Sequence, residues 1–186
     1  NIFKSLNKQT ESKNIINKEI INKTKKDLLA SFDRVHGGFG SAPKFPHSTN
    51  INFLLKCINK DDQELFKYLS LTLNRMCFSG IYDHLEGGFF RYSVDELWMI
   101  PHFEKMLYDN GPMIDILCNG YRKIKDPVLL TKIEETCGWL IKNMQDNSGG
   151  FFSTIDADSE HVEGKYYVWS IEELKSILND TEFELI

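Results

Sequence analysis

Residues 86–95 read EGGFFRYSVD, two glycines running into two phenylalanines and then into Arg, Tyr and Asp. Gly-Gly-Phe occurs twice more, at 37–39 in HGGFG and at 149–151 in SGGFF, so the copies start 50 and 62 residues apart. Those gaps each accommodate a pair of helices plus a long connector, and repetition on that scale predicts stacked or circularly arranged helical hairpins. The glycines supply positive φ and a close backbone approach where a helix stops. The phenylalanine then plugs the end of the core.

Working outward, the apolar residues recur at helical spacing. Ile16, Ile20, Ile21, Leu28, Leu29 and Phe32 predict a first helix ending near His36, with Gly37-Gly38 as its left-handed cap. Ser48 or Thr49 is expected to cap a second, carrying Ile51, Leu54, Leu55 and Ile58. A third runs from about Asp62 through Leu65, Phe66, Leu69, Leu73 and Met76 and stops before Gly80. The fourth follows Pro101 through Phe103, Met106, Leu107, Ile114, Leu117 and Tyr121, with Gly111-Pro112 expected to kink or divide it. Asp126-Pro127 opens a fifth through Ile133, Cys137, Leu140, Ile141 and Met144. Ser170 and Glu173 form a capping box for a sixth. Strand signal is confined to residues 165–169 and 150–152, expected to pair as a short β-hairpin within one loop. The fold class is all-α.

Composition excludes several classes of function. The chain has 186 residues, 41% hydrophobic and 12% aromatic, which is enough for a real core. No apolar run reaches the ~20 residues of a membrane helix, so the sequence reads as soluble and cytoplasmic, without a membrane partner. Residues 1–27 hold seven lysines against three acids, leaving 15 basic and 24 acidic residues in the remainder. No basic stripe interleaved with aromatics follows, which argues against nucleic acid as a partner. Cys57, Cys77, Cys118 and Cys137 form no C-x-x-C and read as buried, reduced thiols. Residues 156–160, DADSE, fail as an EF-hand because His161 stands where Gly belongs and Tyr167 where Glu belongs. Neither a metal nor a cofactor is called for.

All five histidines fall in connectors or at helix ends, together with carboxylates and aromatic rings. Hairpins that place their connectors on one side would bring these groups to one surface. Carboxylates and imidazoles there would take sugar hydroxyls and move protons, while rings cover the apolar sugar face. Each cluster also has a plainer reading. His102 and Glu104 suit the N-terminus of a helix. Arg91 with Asp95 suits a buried ion pair that orders a loop.

At three motifs the sequence resembles a known family. HGGFGSAPKFP (36–46), SGIYDHLEGGFFRYSVDELWMIPHFEKMLYDN (79–110) and GGFFSTIDADSE with GKYYVW (149–169) are similar to the spermatogenesis-associated protein 20 family of thioredoxin-domain-containing proteins. That family is related to the N-acylglucosamine 2-epimerase and six-hairpin glycosidase folds. The resemblance covers about residues 30–175. It departs at Ser79, Glu86 and Gly111, where Gly, Gly and Ala are expected. It implies an N-terminal thioredoxin-like domain followed by an (α/α)6 toroid. Residues 1–186 are then part of the ring, with 1–12 a linker and the remainder of the ring following. The thioredoxin-like domain of the same protein becomes the expected partner.

Two classes of function follow. The first is a carbohydrate-active domain with a carbohydrate ligand in a central cleft. An epimerase would use His84 and His102 as imidazoles flanking the carbon α to a carbonyl. A glycosidase would use two of Asp83, Glu104 and Asp156, at a carboxylate gap of roughly 5–9.5 Å. Arg91, Tyr92, Asp95, Trp98, Tyr108, Asp109 and Asp158 are the expected substrate-binding residues. The second class is a non-catalytic toroid that binds or scaffolds the thioredoxin-like domain.

Overall fold

The computed structural model describes residues 17–59 and 61–186. The linker expected at residues 1–12, and Ile16, lie outside them. The described residues divide into two units, 17–31 and Phe32–Ile186.

The first unit holds helix α1, Lys18–Ala30. The Asn17 side chain caps it by accepting from Ile20 N at 3.0 Å, and Ile20 and Ile21 are exposed. The helix closes at Ser31, six residues before the expected cap, because Gly37 and Gly38 belong to a separate turn.

The second unit is built from antiparallel helix pairs. Helices α2 (Ser48–Cys57) and α3 (Gln63–Phe78) are joined by a short turn, as are α4 (Leu107–Ile124) and α5 (Pro127–Trp139). Helix α4 packs on both α2 and α5, and α3 on α4 and α5. Ile51, Leu54 and Leu55 of α2, Leu65, Leu69, Leu73 and Met76 of α3, and Ile116 and Leu117 of α4 form the core. A one-turn π-helix, Leu140–Met144, extends α5, and α6 (Ile171–Ile177) and α7 (Asp180–Phe183) follow the last long connector. Up-and-down alternation places the long connectors 32–47, 79–106 and 145–170 at one end.

Several boundaries differ from expectation for identifiable reasons. His47, in left-handed conformation, is the N-cap residue of α2, and Ser48 is already helical. Helix α4 starts at Leu107 because residues 101–106 are drawn into two short strand pairs. Pro112 lies inside α4 without dividing it. On α5 the buried face is Leu129, Lys132, Thr136 and Trp139, while Ile141 of the π-helix is exposed. This face turns toward the connectors: Lys132 Nζ lies 4.1 Å from the Tyr82 ring, and Tyr82 Oη donates to Glu135 at 2.7 Å. Phe66 is exposed, so it lies off the core stripe of α3. Cys77 is buried, its thiol pushed up to about 12 by that burial, whereas Cys57, Cys118 and Cys137 are only half-buried. Asp126 caps α5, and the Ser170 and Glu173 capping box closes on α6.

The β-hairpin sits elsewhere than expected. Residues 165–169 form turns and coil, and the hairpin is β5 (Asp158–Ser159) with β6 (Val162–Glu163). The other strand pairs are β1 (Tyr92–Ser93) with β2 (Pro101–His102), and β3 (Lys105–Met106) with β4 (Thr154–Ile155).

The Gly-Gly-Phe copies are one structural device. Each phenylalanine bridges the residue that precedes an aspartate: Phe39 with Phe32, Phe89 with Tyr82, Phe151 with Gln145. Asp33, Asp83 and Asp146 each turn a carboxylate back onto the following N–H groups, an Asx-type turn. In the first two copies a buried lysine, Lys44 or Lys105, donates to the outer aspartate oxygen. Those lysines pair in turn with the next connector, Lys44 with Ser93 and Lys105 with Ile155, each four residues past the phenylalanine of its turn. Successive connectors are thereby stitched together. Gly38 and Gly88 need positive φ, +77° and +84°, and a Cβ would meet Trp98 at 2.5 Å or Trp139 at 2.7 Å.

Candidate functional site

Residues 101–105 form a wall, and strand alternation sends their side chains to opposite sides. Pro101 and Phe103 line one compartment, and Lys105 lies buried beside Asp83 at its back. His102 and Glu104 face the other.

The His102 side is the more polar. Arg91 Nη1 donates to Glu104 Oε2 at 3.0 Å, and the two residues are also joined by Arg91 N to Glu104 O at 2.9 Å. Arg91 Nε lies 4.0 Å from Asp109 Oδ2, and its guanidinium lies over the Tyr108 ring. The Tyr92 ring is sandwiched between Phe45 at 4.7 Å and His102 at 4.9 Å. His102 Nδ1 bonds Glu163 Oε1 at 2.7 Å, leaving Nε2 3.8 Å from Glu104 Oε2. Beside this cluster is a pocket of about 250 Å³ lined by Phe45, His47, Ser48, Arg91, Asp109 and Met113, at the heads of α2 and α4.

Asp109 is the unusual member. Its Oδ2 is buried and takes no hydrogen bond. Burial pushes its pKa up to about 6; the Glu104 charge adds to this and Arg91 opposes it. A carboxyl raised in this way is suited to exchange protons near neutral pH.

The other candidates fall elsewhere. Asp83 and His84 line the opposite compartment. Both Asp83 oxygens are taken, Oδ1 by the N–H groups of Leu85 and Glu86 and Oδ2 by Lys105 at 2.7 Å. Burial pushes its pKa up, but these partners outweigh it and hold the group ionised, below its ordinary value. Asp95 accepts from Ser93 Oγ and from the N–H groups of Leu97, Met99 and Ile100, so it braces its own loop. Trp98 is wholly buried, donating to His36 O, and takes a core position rather than an open face. Asp156 and Asp158 are exposed around the β5–β6 hairpin, with Asp156 accepting from Asp158 N. The structure therefore gathers Arg91, Tyr92, His102, Glu104, Tyr108 and Asp109 and leaves Asp83, His84, Asp95, Trp98, Asp156 and Asp158 apart from them. It adds Phe45 and Glu163. Phe45 stands in the APKFP stretch already singled out, whereas Glu163, 61 residues from His102, carries no local signal.

Paired helices with their long connectors gathered at one end are the architecture of an α/α toroid. The chain superposes on cellobiose 2-epimerase from Spirochaeta thermophila with a TM-score of 0.61 at 18% identity, over 75% of this chain and 41% of that one. The fold is thus part of an (α/α)6 ring of the sugar-epimerase kind. In sequence, the chain is 35% identical over 162 residues to spermatogenesis-associated protein 20 of Rattus norvegicus, covering 81% of this chain and 20% of that protein. The human protein of that name is 33% identical over 168 residues, covering 84% of this chain and 21% of the human one. The chain belongs to the spermatogenesis-associated protein 20 family and spans about a fifth of the length of these relatives. No family model matches the sequence.

Proposed function

We propose that the protein is a carbohydrate-active domain in which Arg91, His102, Glu104 and Asp109 carry out acid–base chemistry on a sugar held at the heads of α2 and α4. The observation that carries this reading is Asp109, which lines the pocket with its Oδ2 4.0 Å from Arg91 Nε and whose carboxyl burial pushes up to about 6. A group at that value is an efficient proton carrier near neutral pH. Arg91 is placed to balance negative charge developing on a carbonyl oxygen. Phe45, Tyr92 and Tyr108 offer ring faces to the apolar side of a sugar. The likeness to sugar epimerases favours proton abstraction α to a carbonyl, with the proton returned to the opposite face. Asp109 and the Glu163-tethered His102 are the groups to move it.

Cellobiose supplied in D2O tests this. An epimerase exchanges the C2 hydrogen for deuterium and forms the epimer, and Asp109→Asn abolishes both. Release of glucose without exchange assigns the same carboxylates to hydrolysis. A second reading, a non-catalytic toroid serving a thioredoxin-like domain of the same protein, is favoured by the closed side-chain and backbone pairing of Arg91 with Glu104. Absence of exchange, cleavage and sugar binding would support it.

A further inference from the structure

The compartment on the far side of the wall is a cavity of about 600 Å³, within the usual range for small-molecule sites. Its lining includes Tyr82, Phe90, Phe103, Tyr166, Tyr167 and Trp169, with Asp83, His84 and Glu86 as the titratable groups besides the tyrosines. We infer that this cavity is a separate binding site for a small organic cation, an ammonium group carried on an apolar or aromatic body.

The argument begins with which polar groups remain available. Asp83 is neutralised by Lys105 and has both oxygens occupied. The Tyr82 hydroxyl is committed to Glu135, and His84 Nε2 to Ser79 O at 3.1 Å. Glu86 remains. Its oxygens receive only neutral donors, Tyr166 Oη and Asn143 Nδ2, both at 3.3 Å, and among the described residues it forms no ion pair. Its charge acts on Lys105 from a distance and is the largest influence that raises the Tyr166 phenol.

A cation needs ring faces and one carboxylate, and both are present. Lys105 Nζ already lies 5.0 Å from the Phe90 ring and 5.2 Å from that of Tyr167, and Tyr167 also stacks on Phe103 at 5.5 Å, so Tyr166 and Trp169 are the rings left for a ligand. Asp83 at 2.7 Å cancels that lysine's charge, so it does not repel a second cation on the open side. Tyr166 and Trp169, 61% and 48% exposed, leave the entrance accessible.

Benzyltrimethylammonium, titrated into the protein while tryptophan fluorescence is followed, tests the inference, with Trp169→Phe identifying the responding ring. We expect saturable quenching, about tenfold weaker binding for Glu86→Gln, and a similar loss when the neutral benzyl alcohol replaces the probe. Equal affinity in Glu86→Gln, or equal affinity for benzyl alcohol, would overturn a cation site. Displacement of the probe by cellobiose would overturn it too, by making the cavity a sugar site.

Discussion

Lys105 lies 22 residues past Asp83 in sequence and donates to its Oδ2 at 2.7 Å, with the lysine side chain wholly shielded from water. A second bond, to Gly87 O at 2.8 Å, ties the same ammonium to the Gly-Gly turn. Burial lowers the lysine pKa, yet Asp83 opposes this, and the pair stays ionised. The ion pair thus holds connector 79–106 in shape and fixes the wall between the two compartments.

Removing the cation alone should therefore be severe. Lys105→Met keeps most of the volume but leaves a buried carboxylate without its counter-ion, and a loss of about 3–5 kcal/mol is expected in urea denaturation. Lys165→Met removes a cation from an exposed pair with Glu160 and should change stability by no more than about 0.5 kcal/mol. Comparable effects at the two sites would contradict the assignment of Lys105 as a brace.

Glycine substitutions should divide by position. Gly88→Ala places a Cβ 2.7 Å from the Trp139 ring in a backbone at φ +84°, and should destabilise by about 2 kcal/mol or more. Gly138, inside α5 with nothing within 4 Å, should gain about 0.5–1 kcal/mol as alanine. Thermal melts of the two variants check the contrast.

Asp109 makes stability depend on pH in a defined direction. Its folded pKa, about 6, lies above the ordinary value of 3.8, so the folded state binds the proton more tightly. The stabilising effect is full below about pH 4 and is lost as pH rises through 6. Asp109→Asn should therefore melt close to the parent at pH 4 and about 2–4 °C higher at pH 7.5, corresponding to ~1 kcal/mol after screening. An equal deficit at both pH values would show instead that the carboxylate is a net structural contact.

Helix content and the Gly-Gly-Phe repeat were legible in the sequence because both are local. Periodicity marks a buried stripe, as it does for Leu65, Leu69, Leu73 and Met76 on α3, and the turn is written in consecutive residues. The face of α5 was not legible. Lys132 and Thr136 are buried there because Tyr82 and the second turn, some 50 residues earlier, supply their surroundings. At the site, Arg91 with Glu104 and Tyr92 with His102 could be read from a short span. The opposite orientation of His102 and Phe103 depends on strand pairing that no apolar pattern announces. Asp95 and Trp98, equally prominent in the sequence, are spent on their own loop and on the core.

The most direct test of the central claim is the titration of the Asp109 carboxyl by carbon-detected NMR, assigned with Asp109→Asn, in the absence and presence of saturating cellobiose. A midpoint near 6 that moves by ~0.5 or more when the sugar binds is the predicted result. A midpoint near 4, or one that stays where it was at saturating sugar, would contradict the assignment of Asp109 to a carbohydrate site.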